Sequence, residues 1–416
     1  QSRARFSGNG SAVAQAYNHM ILPLANSEDR YTQVIWGIRD FEHHFGRTPE
    51  GMWLPEAAVD LDTLETLAEL GIRFTILSPW QAECVRPPDA DEWVDVSDGS
   101  IDPHRPYRQQ LPSGRSLAIF FYDGQIARDV AFDGLLNNGG VFAKRLVDAF
   151  DDGREDDQLV HIATDGETFG HHHRYGDMAL AYALEQIDAG ESVRLTNYGE
   201  YLEKHPPVWE VHIKENTAWS CAHGLERWRS DCGCSSGQRP DWNQAWREPL
   251  RNALDWLRDT LAAEYSEHGG LIFKDVRRAR NDYIEVILDR SPKRVSKFLQ
   301  RHTRGTPDGA TRVRAIKLLE MQRQAMLMYT SCGWFFEELS GIETVQVIQY
   351  AGRAVQMANE LFGDTIEAQF LEKPGKLQTR CAQLSSQTVV APIPSLRDHP
   401  FEQHGSQTHS LIALHN

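Results

Sequence analysis

The chain has 416 residues, 41% of them hydrophobic and 25% charged, with a formal net charge of −16 at pH 7. This is ordinary globular composition, with enough length for one large core and a smaller second one. An acidic surface repels phosphates, which argues against nucleic acid and anionic membranes as main partners and suits a soluble enzyme acting on neutral or cationic substrates.

Residues 8–24 (GNGSAVAQAYNHMILPL) start in a glycine-rich loop and become apolar, with Asn18 and His19 just ahead of Met20. Val34, Ile35, Ile38, Phe41 and Phe45 recur at helical spacing, with Gly46 as a stop and Pro49 beyond it. Residues 51–56 (GMWLPE) read as a short apolar strand that ends in a carboxylate. Asp62 and Glu65 then fit a capping box opening a helix through Leu70, which Gly71 ends. Residues 72–77 (IRFTIL) and 117–122 (LAIFFY) are further strands, the second ending at Asp123-Gly124. Residues 134–150 are an amphipathic helix.

Residues 159–173 (LVHIATDGETFGHHH) form the most informative stretch. An apolar strand delivers two acids, Asp165 and Glu167, and three histidines to its C-terminal end, where parallel α/β enzymes place catalytic groups. A helix from about residue 177 to 187 follows. Alternating strands and helices with acids at strand ends predict a parallel sheet with helices outside, open or closed into a barrel.

From residue 209 to 256 the texture changes, because six of the eleven tryptophans fall there, among polar residues such as Asn216, His223 and Arg227. Such a segment can be a sugar-binding wall, since indole rings stack on pyranose faces, or a set of core anchors for a helical pair. Trp219 and Trp228 are the leading ligand candidates. Residues 282–370 are helical throughout, and Met321, Met326, Met328 and Trp334 read as core. Residues 274–323 hold 14 Lys/Arg against 6 Asp/Glu, a net of +8, read as solvated helix faces. After about Lys373 the periodicity stops, and the tail is expected to be disordered.

The GMWLPE and HIATDGETFG segments together resemble glycoside hydrolase family 57, over roughly residues 6 to 370. The resemblance implies an incomplete (β/α)₇ barrel followed by a helical bundle, acting with retention on α-glucans and related sugars. It implies that Glu56, closing the Trp53-Leu54-Pro55-Glu56 strand, is the nucleophile and that Asp165 is the acid/base. It implies that Asn216, Trp219 and His223 line the site, and that residues 8–24 correspond to the family's second conserved region. The family's opening His-Gln-Pro-like strand has no counterpart here, so the chain is expected to begin after it, and Gly8-Asn9-Gly10 stands where a Gly-His-Gly is found in the family.

The residues support the same chemistry on their own terms. Glycoside hydrolysis needs one ionised and one protonated carboxyl across the scissile bond. Glu56 and Asp165 end two different strands and meet only if the sheet curves. Trp53, Glu167, His171, His173, Asn216, Trp219, His223 and Trp228 are the candidate substrate-binding residues, with Glu167 able to orient Asp165 or bond a sugar hydroxyl. Two other readings stay open. His171 and His173, sharing a face if extended, could bind a divalent metal with Asp165, as in a metal-dependent polysaccharide deacetylase. Alternatively, the barrel binds carbohydrate without catalysis. The glycosidase reading needs no cofactor and no catalytic metal. Cys221, His223, Cys232 and Cys234 form a C-x-H-x₈-C-x-C cluster of soft ligands that could hold structural zinc, though the spacing is no standard finger or ribbon and free thiols are the default.

The expected organisation is a barrel over residues 1–208, a Trp-rich segment over 209–272, a helical domain over 273–372 and a tail over 373–416. No apolar run reaches the roughly 18 residues of a membrane span. The start lacks both an initiator Met and a signal-peptide apolar region, so the chain is expected to be processed or a fragment. Six cysteines are too sparse for a disulfide scaffold, which makes the cytoplasm the expected compartment. The expected partner is an oligo- or polysaccharide.

Overall fold

The computed structural model describes residues 2–235 and 242–371 and the backbone of residues 409–415. The described residues fall into two compact units, one of residues 2–14, 49–219 and 409–415, the other of residues 15–48, 220–235 and 242–371. The division lies at Trp219/Ser220, and the early helix Ser27–Phe45 groups with the later helices, not with the strands that flank it in sequence.

The strands in chain order are β1 Ala14–Gln15, β2 Met52–Trp53, β3 Phe74–Leu77, β4 Ala82–Arg86, β5 Val94–Asp95, β6 Pro106–Gln110, β7 Ser116–Phe121, β8 Leu159–Asp165, β9 Arg194–Leu195, β10 Trp209–Ile213 and β11 His409–His415. The expected parallel strands are present. β3 and β7 pair in parallel from Phe74↔Ala118 to Leu77↔Phe121, and Gly51, just before β2, bridges in parallel to Phe74. Asp123 N, just past β7, donates to His161 O in β8 at 2.9 Å. β2, β3 and β7 therefore run in the same direction, and the segment just past β7 meets β8.

The rest of the sheet departs from the expectation. β3, β7, β6, β10, β4 and β5 make one mixed sheet, in which β6–β7, β4–β10 and β4–β5 are antiparallel. β4 and β6 carry few apolar residues and no clean alternation, so hydrophobic pattern alone does not expose them. The tail also differs in part. Residues 372–408 lie outside the described residues, but the backbone of β11 pairs antiparallel with all of β8, from His409↔Asp165 to His415↔Leu159.

Local chemistry explains the helices. The N-cap of helix Leu61–Glu69 lies two residues before the expected Asp62, because the Asp60 side chain accepts from Thr63 N at 2.8 Å and is itself the cap. Helix Ser27–Phe45 runs from an Asn26 cap to Gly46, whose φ of 64° suits a left-handed C-terminal stop. Helices Gly139–Val147 and Gly176–Ala189 cover β8. They approach so closely that a Cβ on Gly139 would lie 2.8 Å from Ala179 O. The Gly8–Asn9 loop is tied to helix Tyr198–Lys204, since Asn197 Nδ2 donates to Asn9 O and Asn9 Nδ2 to Glu203 Oε2.

In the second unit, helix Ser27–Phe45 packs on Val276–Asp282 through a buried Asp29–Arg280 ion pair at 3.0 Å and a Trp36 Nε1 bond to Asn281 O. Met321, Met326, Met328 and Trp334 are all buried, as expected. Ion pairs such as Arg301–Glu285 and Lys317–Glu360 spread the basic block over helix surfaces. Among the described residues no helix is long and apolar enough to cross a membrane.

β8 is held from beneath by a neutral histidine. His161 is fully buried, its Nε2 donating to Pro103 O at 3.2 Å and its Nδ1 accepting from the Tyr198 hydroxyl at 3.0 Å. Burial pushes its pKa down to about 3. The unfolded chain takes up this proton below about pH 6.5 while the native state does not, so stability falls as pH falls through that window, by roughly 1.4 kcal/mol per pH unit. His161→Gln is expected to be less stable than the parent at pH 7, with the gap narrowing by about that slope between pH 6 and pH 4.5. Urea midpoints of both proteins across this range check it, and parallel pH profiles contradict it.

Candidate active site

Residues 51–60 are buried with one exception, Glu56, which is partly exposed. The strand Met52–Trp53 runs into a 3₁₀ turn, Pro55–Ala57, in which Glu56 takes φ 58° and ψ 21° and Ala57 φ 49°. Two successive non-glycine residues in the left-handed region cost on the order of 1 kcal/mol or more each, and such strain persists where surrounding contacts enforce it. The enforcing contacts come from residues 215–219. Val59 N donates to Thr217 O, Asn216 N to Val59 O and Trp219 N to Glu56 O, at 3.0, 2.8 and 3.0 Å. Gln81 Nε2 bonds both Ala57 O and Thr217 Oγ1, and the Glu215 carboxylate accepts from Leu61 N. The Trp219 indole Nε1 donates to Glu56 Oε2 at 3.0 Å. The carboxylate is thereby aimed by a partner 163 residues away.

Asp165 stands at an equivalent point. Residues 159–164 of β8 are buried and Asp165 is the first to reach solvent. It precedes the 3₁₀ turn Gly166–Thr168 but its side chain does not cap it. Tyr122 directly follows β7. Burial raises its phenol to about 12; a hydrogen bond with Ser78 draws it down and the Asp165 charge pushes it up. The Tyr122 ring also meets the Trp219 ring edge-on, centroids 6.2 Å apart. Glu56 is thus hydrogen-bonded to Trp219, whose ring meets Tyr122 edge-on, and Tyr122 lies within electrostatic range of Asp165. Tyr122 and Ser78 were not singled out in the sequence, although a Tyr ending an apolar strand just before Asp-Gly was the visible signal.

The other expected residues divide. Trp219 is half-buried and reaches Glu56. Glu167 is partly exposed in the turn, its carbonyl accepting from the amides of His171 and His172. Trp53 is 1% exposed, sealed edge-on against Trp219 at 5.0 Å, and so cannot stack on a sugar. Trp228 is 0% exposed and is likewise a core residue, in the helical unit. Aromatic density marked both, but density does not distinguish a wall from a core. Asn216 is an exposed turn residue with φ 57°, a conformation Asn tolerates, and its backbone works in the clamp on residues 56–61.

The histidine run is not extended. A tight turn over residues 169–173 leaves His171 and His172 exposed against each other, while His173 Nε2 donates to Ala131 O at 2.9 Å. His171 and His173 share no face, and no metal-binding group among the described residues includes them or Asp165. The deacetylase reading loses its ligand set. His223 lies in the helical unit beside the cysteines. Of the remaining tryptophans, Trp209 carries Arg105 over its ring, Trp246 stacks near Trp334 and Trp256 near Phe370, all as structural contacts.

Comparisons with known proteins bear on the family and the fold. The profile of Glycosyl hydrolase family 57 matches residues 5–214, and that of a domain of unknown function (DUF3536) matches residues 242–384. An alpha-amylase of Pyrococcus furiosus is 22% identical over 226 residues, covering 51% of this chain and 31% of the amylase. Among solved structures, an exo-type maltose-forming amylase from Pyrococcus sp. ST04 superposes with a TM-score of 0.65 at 14% identity, covering 89% of this chain and 64% of that one. A GH57-type branching enzyme from Pyrococcus horikoshii gives 0.54 at 16% identity, covering 92% and 71%. The chain thus spans about a third of the curated amylase and under two thirds of the maltose-forming amylase. What these structures share with it is an α/β fold followed by a helical region. Because that family profile covers half of the sequence, the chain belongs to glycosyl hydrolase family 57.

Proposed function

We propose that the protein is a retaining glycoside hydrolase or glycan transferase acting on an α-glucan-like oligo- or polysaccharide, with Glu56 as nucleophile and Asp165 as acid/base. The observation that carries this reading is the Glu56 carboxylate, set on a strained left-handed turn and hydrogen-bonded by the Trp219 indole. The curated relative is an alpha-amylase and two structural neighbours are an amylase and a branching enzyme, which favours α-glucan among sugars. An incomplete (β/α)₇ barrel and a cytoplasmic location belong to the same reading.

In the first step the Glu56 carboxylate attacks the anomeric carbon, the bond to the leaving oxygen breaks, and Asp165 gives that oxygen its proton. In the second, Asp165 takes a proton from water or from a sugar hydroxyl, which attacks the anomeric carbon and releases Glu56. Retention requires the carboxyls about 5–5.5 Å apart across the sugar, against about 6.5–9.5 Å for inversion. Trp219 keeps Glu56 aimed.

Glu56→Gln is expected to lower kcat on maltooligosaccharides by roughly 10³-fold or more, with the melting temperature nearly unchanged. Asp165→Ala is expected to lose comparable activity but to regain turnover of an aryl α-glucoside in azide, giving the α-glucosyl azide, because azide takes the place of the base-assisted acceptor. Unchanged activity in either variant, or a product of inverted configuration by proton NMR, contradicts the assignment. Trp219→Phe keeps an aromatic ring and deletes the hydrogen bond to a charged group, expected to lower kcat roughly 10- to 100-fold. If Trp219 aims Glu56, KM barely moves; a rise in KM with kcat intact assigns it to sugar stacking instead.

A further inference from the structure

The helical unit contains a cluster that the glycosidase chemistry does not use. We propose that Cys221, His223, Cys232 and Cys234 bind one structural zinc ion. The four ligand atoms all lie within 4.8 Å of one another. Their spacing has the dimensions of a coordination tetrahedron. Zn–S bonds of about 2.3 Å and a Zn–N bond of about 2.0–2.1 Å give tetrahedron edges of about 3.8 Å for S···S and about 3.5 Å for S···N. Cys221 Sγ and Cys234 Sγ are 3.8 Å apart, and Cys234 Sγ and His223 Nδ1 are 3.4 Å apart. A disulfide needs about 2.05 Å between its sulfurs, and the cluster lies far outside that.

The backbone is built to make the four side chains converge. Gly224 N donates to Cys221 O, closing a tight turn through His223. In an extended Cys-x-Cys segment the two side chains point to opposite faces. Here Gly233, between Cys232 and Cys234, has φ 75°, which turns the segment so that both thiols face the same point. Gly233 N is held by Gln244 Oε1 at 3.0 Å, and Gln244 N by Asp231 Oδ1 at 3.1 Å, with Gln244 itself buried.

The surroundings also fit the charge of such a centre. Three thiolates around Zn²⁺ leave a net charge of −1 once the three thiol protons have passed to solvent. Arg247 is 0% exposed, and its Nη1 lies 3.6 Å from Cys232 Sγ. Its other hydrogen bonds go to the carbonyls of Ser230, Phe335 and Phe336. A buried guanidinium against one corner of an anionic metal centre balances it and fixes the Cys232 ligand, as outer contacts of metal sites do. The soft donor set selects zinc over calcium or magnesium. Such a centre ties residues 221–224 to residues 232–234 and so closes the loop that carries the buried Trp228.

Metal analysis of the full chain, expressed with added zinc and purified without chelator, is expected to give one zinc per chain. Replacing it with cobalt(II) is expected to give thiolate charge-transfer bands and the intense visible bands of a tetrahedral centre. Chelation is expected to free three additional reactive thiols of the six cysteines. Cys232→Ser is expected to lose stoichiometric metal, whereas Cys84→Ser and Cys332→Ser keep it. His223→Gln, should Cys232→Ser fail to fold, is expected to shift the cobalt bands. Substoichiometric metal, thiol counts unchanged by chelator, or a disulfide among these cysteines by mass spectrometry each overturns the proposal.

Discussion

The aim of the Glu56 carboxylate depends on one hydrogen bond, from the Trp219 indole at 3.0 Å. Glu56 cannot find this position through local preference, since a left-handed backbone is unfavourable for a residue with a Cβ. The long-range clamp of residues 215–219 on 56–61 imposes it. The cost of the turn is met by several backbone bonds and one indole bond, each formed only when distant segments are in register. The placement of Glu56 is therefore a product of tertiary structure, and it is lost if that clamp loosens.

A second constraint works on Asp165. β8 is sealed on both faces, and its buried histidine stays neutral between a phenol and a carbonyl. Beneath it, Asp102 is held ionised by His104, Arg154 and Arg105 despite its burial, and Leu159 N, at the start of β8, bonds His104 O. The strand is fixed at its root, so the acid at its tip has little freedom. Both acids follow one design: a buried apolar segment ends in the first side chain that reaches solvent.

Much of this was legible in the chain. GMWLPE and LVHIATDGETFG are apolar runs that end in acids, and burial is what apolar runs report. Trp219 was visible as a candidate, though as a sugar platform and not as the residue that aims Glu56. The misreadings share a cause. Trp53 and Trp228 were chosen as sugar binders by residue type and the metal pairing of His171 with His173 by spacing, but burial and turn geometry, which arise from contacts far away in sequence, decide both. Trp228 and Trp53 are sealed, and a turn at residues 169–173 separates the two histidines. β4 and β6 were missed because short polar strands leave no periodic trace, and they are what make the sheet mixed. The cysteine cluster was visible as a spacing, but its convergence needed the positive φ of Gly233.

Trapping the covalent intermediate tests the central claim most directly. Incubation with a 5-fluoro-α-glucosyl fluoride, followed by proteolysis and mass spectrometry, is expected to show one fluoroglucosyl ester on the peptide containing Glu56, and none in Glu56→Gln. A label on Asp165 or elsewhere, or turnover of α-glucan by Glu56→Gln at the parent rate, contradicts it.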